Sequence, residues 1–110
     1  MNKNIAYKTD QLASYFTHHR VSWPQFYESE RNIIKKLALG ANDTILDIGC
    51  GCGGLGLALG AEFGVQKYTG IEINFLAAEK ARCLNPNASI FCGDFLDLRE
   101  NVLRDTHFNV

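Results

Sequence analysis

Apolar and polar positions along this chain follow two periods, one helical and one of short continuous runs. Between Ser22 and Ala38, Phe26, Ile33, Ile34 and Leu37 form an apolar stripe while Glu28, Glu30, Arg31, Lys35 and Lys36 cover the other side, the pattern of an amphipathic helix. Ser22-Trp23-Pro24-Gln25 supplies an N-cap serine, a glutamine three residues on and a proline in the first turn. The helix is therefore predicted to start there, run to about Ala38 and end at Gly40, with its stripe packed on a sheet. An earlier helix is predicted over Thr9 to His18. Beyond Gly40, short apolar runs predict strands near Thr44–Ile48, Lys67–Ile73 and Ala88–Cys92, with helices near Gly54–Phe63 and Phe75–Leu84 between them. This β-α-β-α-β alternation implies a parallel sheet with crossover helices. Residues 1–40 read as an N-terminal helical segment and 41–110 as the sheet-bearing core.

The junction between the first strand and its helix carries the densest chemical signal. In Asp47-Ile48-Gly49-Cys50-Gly51-Cys52-Gly53-Gly54, an apolar run ends in a carboxylate and glycines follow at every second position. Such a turn tolerates positive φ and lets a ligand lie against the backbone. Free N–H groups and the positive helix end are expected to favour electron-rich ligand groups. Glu72 ends the second strand, eighteen residues beyond Gly54, where a carboxylate meets the ribose hydroxyls of an adenosine laid over the turn. Asp94, beside Phe95, ends the third. Asp47, Glu72 and Asp94 thus share one sheet edge, the edge at which open α/β sheets bind ligands. Asp94 could accept from an adenine amino group and Phe95 could face the ring; the other reading is that Gly93-Asp94 only opens a turn.

Composition narrows the classes. At 110 residues with 46% apolar and 21% charged content, the chain has the make-up of a single globular domain. A net charge of −1 gives no footprint for nucleic acid or an anionic membrane. The N-terminus lacks the apolar run of a signal peptide, and no stretch is long and apolar enough to span a bilayer, so a cytoplasmic protein is expected. The four cysteines match neither zinc-ligand spacing nor a disulfide scaffold. No metal site is expected, and the cysteines read as small buried fillers.

At these residues the chain resembles the cofactor-binding half of class I S-adenosylmethionine-dependent methyltransferases. Asp47-x-Gly49-x-Gly51-x-Gly53 looks like that family's first motif, Glu72 like its ribose-binding acid and Gly93-Asp94-Phe95 like its adenine-contacting segment. The resemblance runs from about Asn32 to Val110. It implies a Rossmann-like, doubly wound, mostly parallel α/β sheet with N-terminal helices, incomplete relative to the full methyltransferase fold. It further implies S-adenosylmethionine as cofactor, held by Asp47, Gly49, Cys50, Gly51, Gly53, Glu72, Ile73, Asp94 and Phe95. Asp47 would lie near the methionine end, whose ammonium needs acceptors. The N-terminal aromatics Tyr7, Tyr15, Phe16, Trp23 and Tyr27 are similar only in placement to helices that cover cofactor or substrate in this family; most are expected to dock a helix on the core.

No residue in this pattern points to a methyl acceptor or a catalytic base. Thr106-His107-Phe108-Asn109-Val110 reads like the opening of a fourth strand, with Asn109 where the family often carries an acid, and the chain is expected to stop inside that strand. Two alternatives stay open. Gly49-x-Gly51-x-x-Gly54 also satisfies the dinucleotide fingerprint of an NAD(P)-dependent oxidoreductase. A non-catalytic piece that binds cofactor or a partner chain is the other. An incomplete sheet predicts association with itself or another chain through the edge near Thr44–Ile48 and the stub Phe108–Val110, and the chain alone is expected to be inactive.

Overall fold

In a computed structural model of the chain, residues 18–110 are described. A single 3₁₀ turn, Trp23–Gln25, precedes α1 (Glu28–Lys35), and then β1 (Thr44–Ile48), α2 (Gly54–Phe63), β2 (Lys67–Glu72), α3 (Phe75–Leu84), β3 (Ser89–Cys92) and α4 (Phe95–Leu98) follow in order. The three strands form one parallel sheet in the order β1-β2-β3. Asp47 lies opposite Gly70, Ile48 opposite Ile71 and Glu72 opposite Cys92, so the carboxyl ends of the strands are level. The fold is the expected Rossmann-like α/β arrangement in part.

The core explains why these segments adopt these elements. Ile45 and Tyr68 are partners across β1 and β2 and join Ile90 of β3, Ala58 and Leu59 of α2, and Ala78 and Ala81 of α3 in one buried cluster. Alanines on α3 bring that helix close to the sheet. At Gly56 a side chain would have its Cβ 2.8 Å from the Tyr68 ring, so α2 rests directly on it. Trp23 enters the same cluster and meets Phe63 edge-on at 5.0 Å between ring centroids.

The helix expected from Ser22 to Ala38 is instead divided. The capping signal is real: Gln25 Oε1 accepts from the Val21 and Ser22 amides at 2.9 and 3.0 Å. It closes only the 3₁₀ turn, because Phe26 is extended (φ −83°, ψ 152°) and buried at 5% exposure. Burying a phenylalanine gains about 1.5–3 kcal/mol, against about 1 kcal/mol for each helical hydrogen bond forgone. A second start follows, with Glu30 accepting from the Tyr27 amide at 3.0 Å. The helix then ends at Lys35 rather than Ala38, and Ala38 (φ 51°), not Gly40, takes the left-handed conformation. Of the predicted stripe, Phe26 is buried and Ile34 packs on the core, whereas Ile33 and Leu37 are exposed. The helix predicted over Thr9–His18, with Tyr7, Tyr15 and Phe16, lies outside the described residues except for His18.

At the other end, Val110 donates to Thr44 O at 3.2 Å and accepts from Leu46 N at 3.1 Å, the alternation of a parallel ladder. Asn109 accepts from Thr44 N at 2.7 Å and donates to Asp43 Oδ1 at 2.7 Å. Its amide can do both, which an acid there could not. Among the described residues no helix is long and apolar enough to cross a membrane.

Candidate functional site

The glycine loop turns the chain at the carboxyl edge of the sheet. Gly49, Gly51 and Gly53 all have positive φ (77°, 58° and 76°), which residues with a Cβ adopt only under strain. Gly53 ends the loop as the N-cap of α2, with Asn85 Nδ2 donating to its carbonyl at 2.9 Å.

Four of the loop's amides are committed to the protein, against the expectation of free N–H groups at those positions. Gly49 N and Cys50 N both donate to Ile71 O, at 2.8 and 2.9 Å, and Gly53 N donates to Cys50 O at 3.0 Å. Gly51 N donates to Glu72 Oε1 at 3.0 Å. The bonds to Ile71 and Glu72 clamp the loop onto β2.

Glu72 is buried at 6% exposure. Its second oxygen accepts from Asn74 N at 2.8 Å, so both oxygens are fixed by backbone donors. Each carboxylate oxygen has further acceptor capacity, which suits the group to a pair of vicinal hydroxyls. Asn74, unremarked in the sequence, also caps α3 by accepting from Ala77 N at 2.9 Å; its place between strand end and helix start was the available signal.

Asp47 receives the Tyr68 hydroxyl as donor. Burial pushes the Asp47 carboxyl above its ordinary range, the Tyr68 bond opposes this, and the Glu72 charge adds to it. Burial and then the Asp47 charge push the Tyr68 hydroxyl up, so it stays protonated and donating. The Cys50 thiol is pushed up to about 12, first by burial and then by the Asp47 and Glu72 charges. It is therefore protonated at neutral pH and is not a nucleophile. Its sulfur lies where a Cβ on Gly70 would come within 2.6 Å, packed under the loop as a filler. Cys52 is buried too, but Cys92 is half-buried and Cys83 exposed, so the filler reading fails at Cys83. Among the described residues no group of three or more His, Cys, Asp or Glu is placed to hold a metal.

Two hollows open on this edge, and Gly49 lines both. One, of about 240 Å³, is lined by Asp47, Gly49 and Cys50 and by Arg20, Phe26 and Glu30 from the segment before β1. The other, of about 210 Å³, is lined by Gly49, Glu72, Ile73, Asp94 and Phe95. A Cβ at Gly49 would meet nothing within 4 Å, so open space borders the backbone there. Gly51 and Gly53 line neither and act beneath the site, one holding Glu72 and the other starting α2. Asp94 caps α4, its Oδ1 accepting from Leu96 N at 2.8 Å. That is the turn-opening role; its place on the second hollow is the other. Sequence reasoning missed Tyr68, Arg20 and Glu30, whose approach depends on strand register and on the path of the N-terminal segment.

An open parallel α/β sheet with an acidic crevice along its carboxyl edge is the architecture of a nucleotide-cofactor protein. Residues 45–110 match the family described as methyltransferase domain, and the chain belongs to that family, as the class I resemblance of its glycine loop implies. The match does not favour the dinucleotide oxidoreductase alternative. No curated protein sequence matches the chain. Among solved structures, the chain is similar to one of the Haloferax volcanii Trm112 methyltransferase activator in complex with a protein assigned as a methyltransferase (TM-score 0.59, 20% identity, 78% of this chain and 37% of that one). It is also similar to a Thiobacillus denitrificans S-adenosylmethionine-dependent methyltransferase holding S-adenosyl-L-homocysteine (0.56, 23%, 82% and 38%) and to Escherichia coli YjhP (0.53, 22%, 72% and 34%). The chain thus spans little over a third of the length of these structures, and the likeness is one of fold.

Proposed function

We propose that this chain is the cofactor-binding part of an S-adenosylmethionine-dependent methyltransferase. The observation that carries the reading is the pair of hollows on either side of Gly49, one lined by Asp47 and the other by Glu72 and Asp94. The donor set fits the group. Glu72 presents two anchored oxygens to the ribose hydroxyls, Asp94 and Phe95 flank the adenine, and Ile73 packs beside it. Asp47 is a half-buried carboxylate that a cationic ammonium would compensate. Gly49, which lines both hollows, leaves the backbone open to close approach.

When bound, S-adenosylmethionine would supply an electrophilic methyl on sulfur for in-line displacement by an acceptor nucleophile. This chain's residues bind and orient. Glu72 fixes the adenosine end and Asp47 the amino-acid end. Tyr68 holds Asp47 by its donated bond, and the apolar faces of Phe26 and Phe95 exclude water. Cys50, held protonated, takes no covalent part. Titration calorimetry with S-adenosylhomocysteine and with reduced nicotinamide dinucleotide tests the reading. Saturable binding of the first alone is expected; saturable binding of the second alone would reject it.

A further inference from the structure

One wall of the Asp47 hollow comes from residues ahead of the segment that matches the family. Arg20, Phe26 and Glu30 line it, whereas the match begins at residue 45. Arg20 is fixed there at both ends. Its carbonyl packs so closely on α2 that a Cβ at Gly54 would lie 1.6 Å from it. Its guanidinium carbon sits 4.6 Å from the Phe26 ring centroid and 5.4 Å from that of Tyr27, within range of cation–π attraction. Nη2 donates to both Glu30 oxygens, at 3.2 and 3.0 Å, and Glu30 is itself held by the Tyr27 amide at 3.0 Å.

A half-exposed ion pair adds little stability by itself, yet here two rings and a carboxylate hold one guanidinium at the rim of a hollow. Glu30 engages it through a single nitrogen, and a guanidinium carries five N–H donors in a planar fork suited to a carboxylate. The same hollow therefore presents Asp47, a carboxylate with no cationic partner among the described residues, and the Arg20–Glu30 pair, in which one guanidinium nitrogen is engaged and the rest of the fork is left for a second carboxylate. That is the complement of a zwitterion. We propose that Arg20 binds the carboxylate of the cofactor's amino-acid end while Asp47 takes its ammonium, which makes the segment before β1 a determinant of cofactor specificity. The assignment rests on the cofactor reading above.

Two ligands separate the assignment from that reading: S-adenosylhomocysteine, which has the amino-acid end, and 5′-methylthioadenosine, which lacks it. Calorimetry is run on the wild-type chain, Arg20→Gln and Arg20→Lys, with circular dichroism melts to establish folding. Arg20→Gln is expected to weaken S-adenosylhomocysteine about tenfold or more, and methylthioadenosine by less than about twofold, since a charge-assisted bidentate contact is lost for one ligand only. Arg20→Lys keeps the charge without the fork, so it should fall between. If Arg20→Gln does not fold, a selective loss in Arg20→Lys carries the same meaning. Equal losses for both ligands, or none, would overturn the role of Arg20. Wild-type binding of methylthioadenosine without any gain for S-adenosylhomocysteine would overturn it while leaving the adenosine site standing. Binding of neither ligand would remove the cofactor reading and Arg20 with it.

Discussion

Replacing Tyr68 with phenylalanine removes one hydroxyl and leaves the ring that packs under Gly56 in place. The lost bond is the one donated to Asp47. Because its acceptor is a half-buried carboxylate, the cost at neutral pH should be about 1.5–3 kcal/mol, a large share of the roughly 5–15 kcal/mol that holds a domain together. The pH dependence follows from Asp47, whose folded-state carboxyl titrates above 3.8, chiefly through burial. A group raised in this way contributes stability that is fully present below its unfolded value and is lost as pH rises through the folded one. The Tyr68 bond favours the carboxylate, so its removal lifts the folded value further and widens that window. Urea unfolding at about pH 7 and about pH 4 reads both effects. A loss near 2 kcal/mol corresponds to a midpoint shift of about 1 M urea, and it should shrink at the lower pH, because the raised Asp47 carboxyl takes up its proton earlier on acidification than an ordinary aspartate. A penalty equal at both pH values, or below about 0.5 kcal/mol at pH 7, would refute the reasoning.

Glu72→Gln replaces one anchored oxygen with an NH₂ that cannot accept from Gly51 or Asn74, so S-adenosylhomocysteine affinity should fall by about 1.5–3 kcal/mol in calorimetry. Gly51→Val puts a β-branched residue at φ 58°, which should cost about 1–3 kcal/mol in thermal unfolding and abolish cofactor binding. Gly54→Ala drives a Cβ into the Arg20 carbonyl; a loss of about 1–3 kcal/mol or more and faster tryptic cleavage after Arg20 are expected on gels. Iodoacetamide at about pH 8 should label exposed Cys83 and spare Cys50, whose thiol titrates near 12; mass spectrometry of the peptides decides it.

The strands, the helices after β1 and β2, and the shared edge of Asp47, Glu72 and Asp94 were legible in the sequence because each follows from local pattern plus topology. Thr44–Ile48 is a short apolar run closed by glycines, and β-α-β order alone places the strand ends together. What was not legible depends on contacts between distant segments. The amides of Gly49 and Cys50 are taken by Ile71 O, a pairing that only the register of β1 on β2 settles. Tyr68 reaches Asp47 for the same reason. The break before α1 comes from Phe26 turning into a core assembled mostly from residues after it. Asp94 shows a local rule at work beside a topological one, since it caps α4 and also borders the crevice.

A nucleoside cofactor lying along the carboxyl edge of this sheet, across both hollows, would touch residues from all three strand ends. Amide resonances of the ¹⁵N-labelled chain, recorded as S-adenosylhomocysteine is added, test this placement residue by residue at 12.3 kDa. The account predicts saturable shifts at Asp47, Gly49, Gly51, Glu72, Ile73 and Phe95, and at Arg20 on the facing wall, with Val65, Gln66 and Ala88 at the opposite end of the strands unmoved. Shifts confined to that opposite end, or none at saturating ligand, would contradict it.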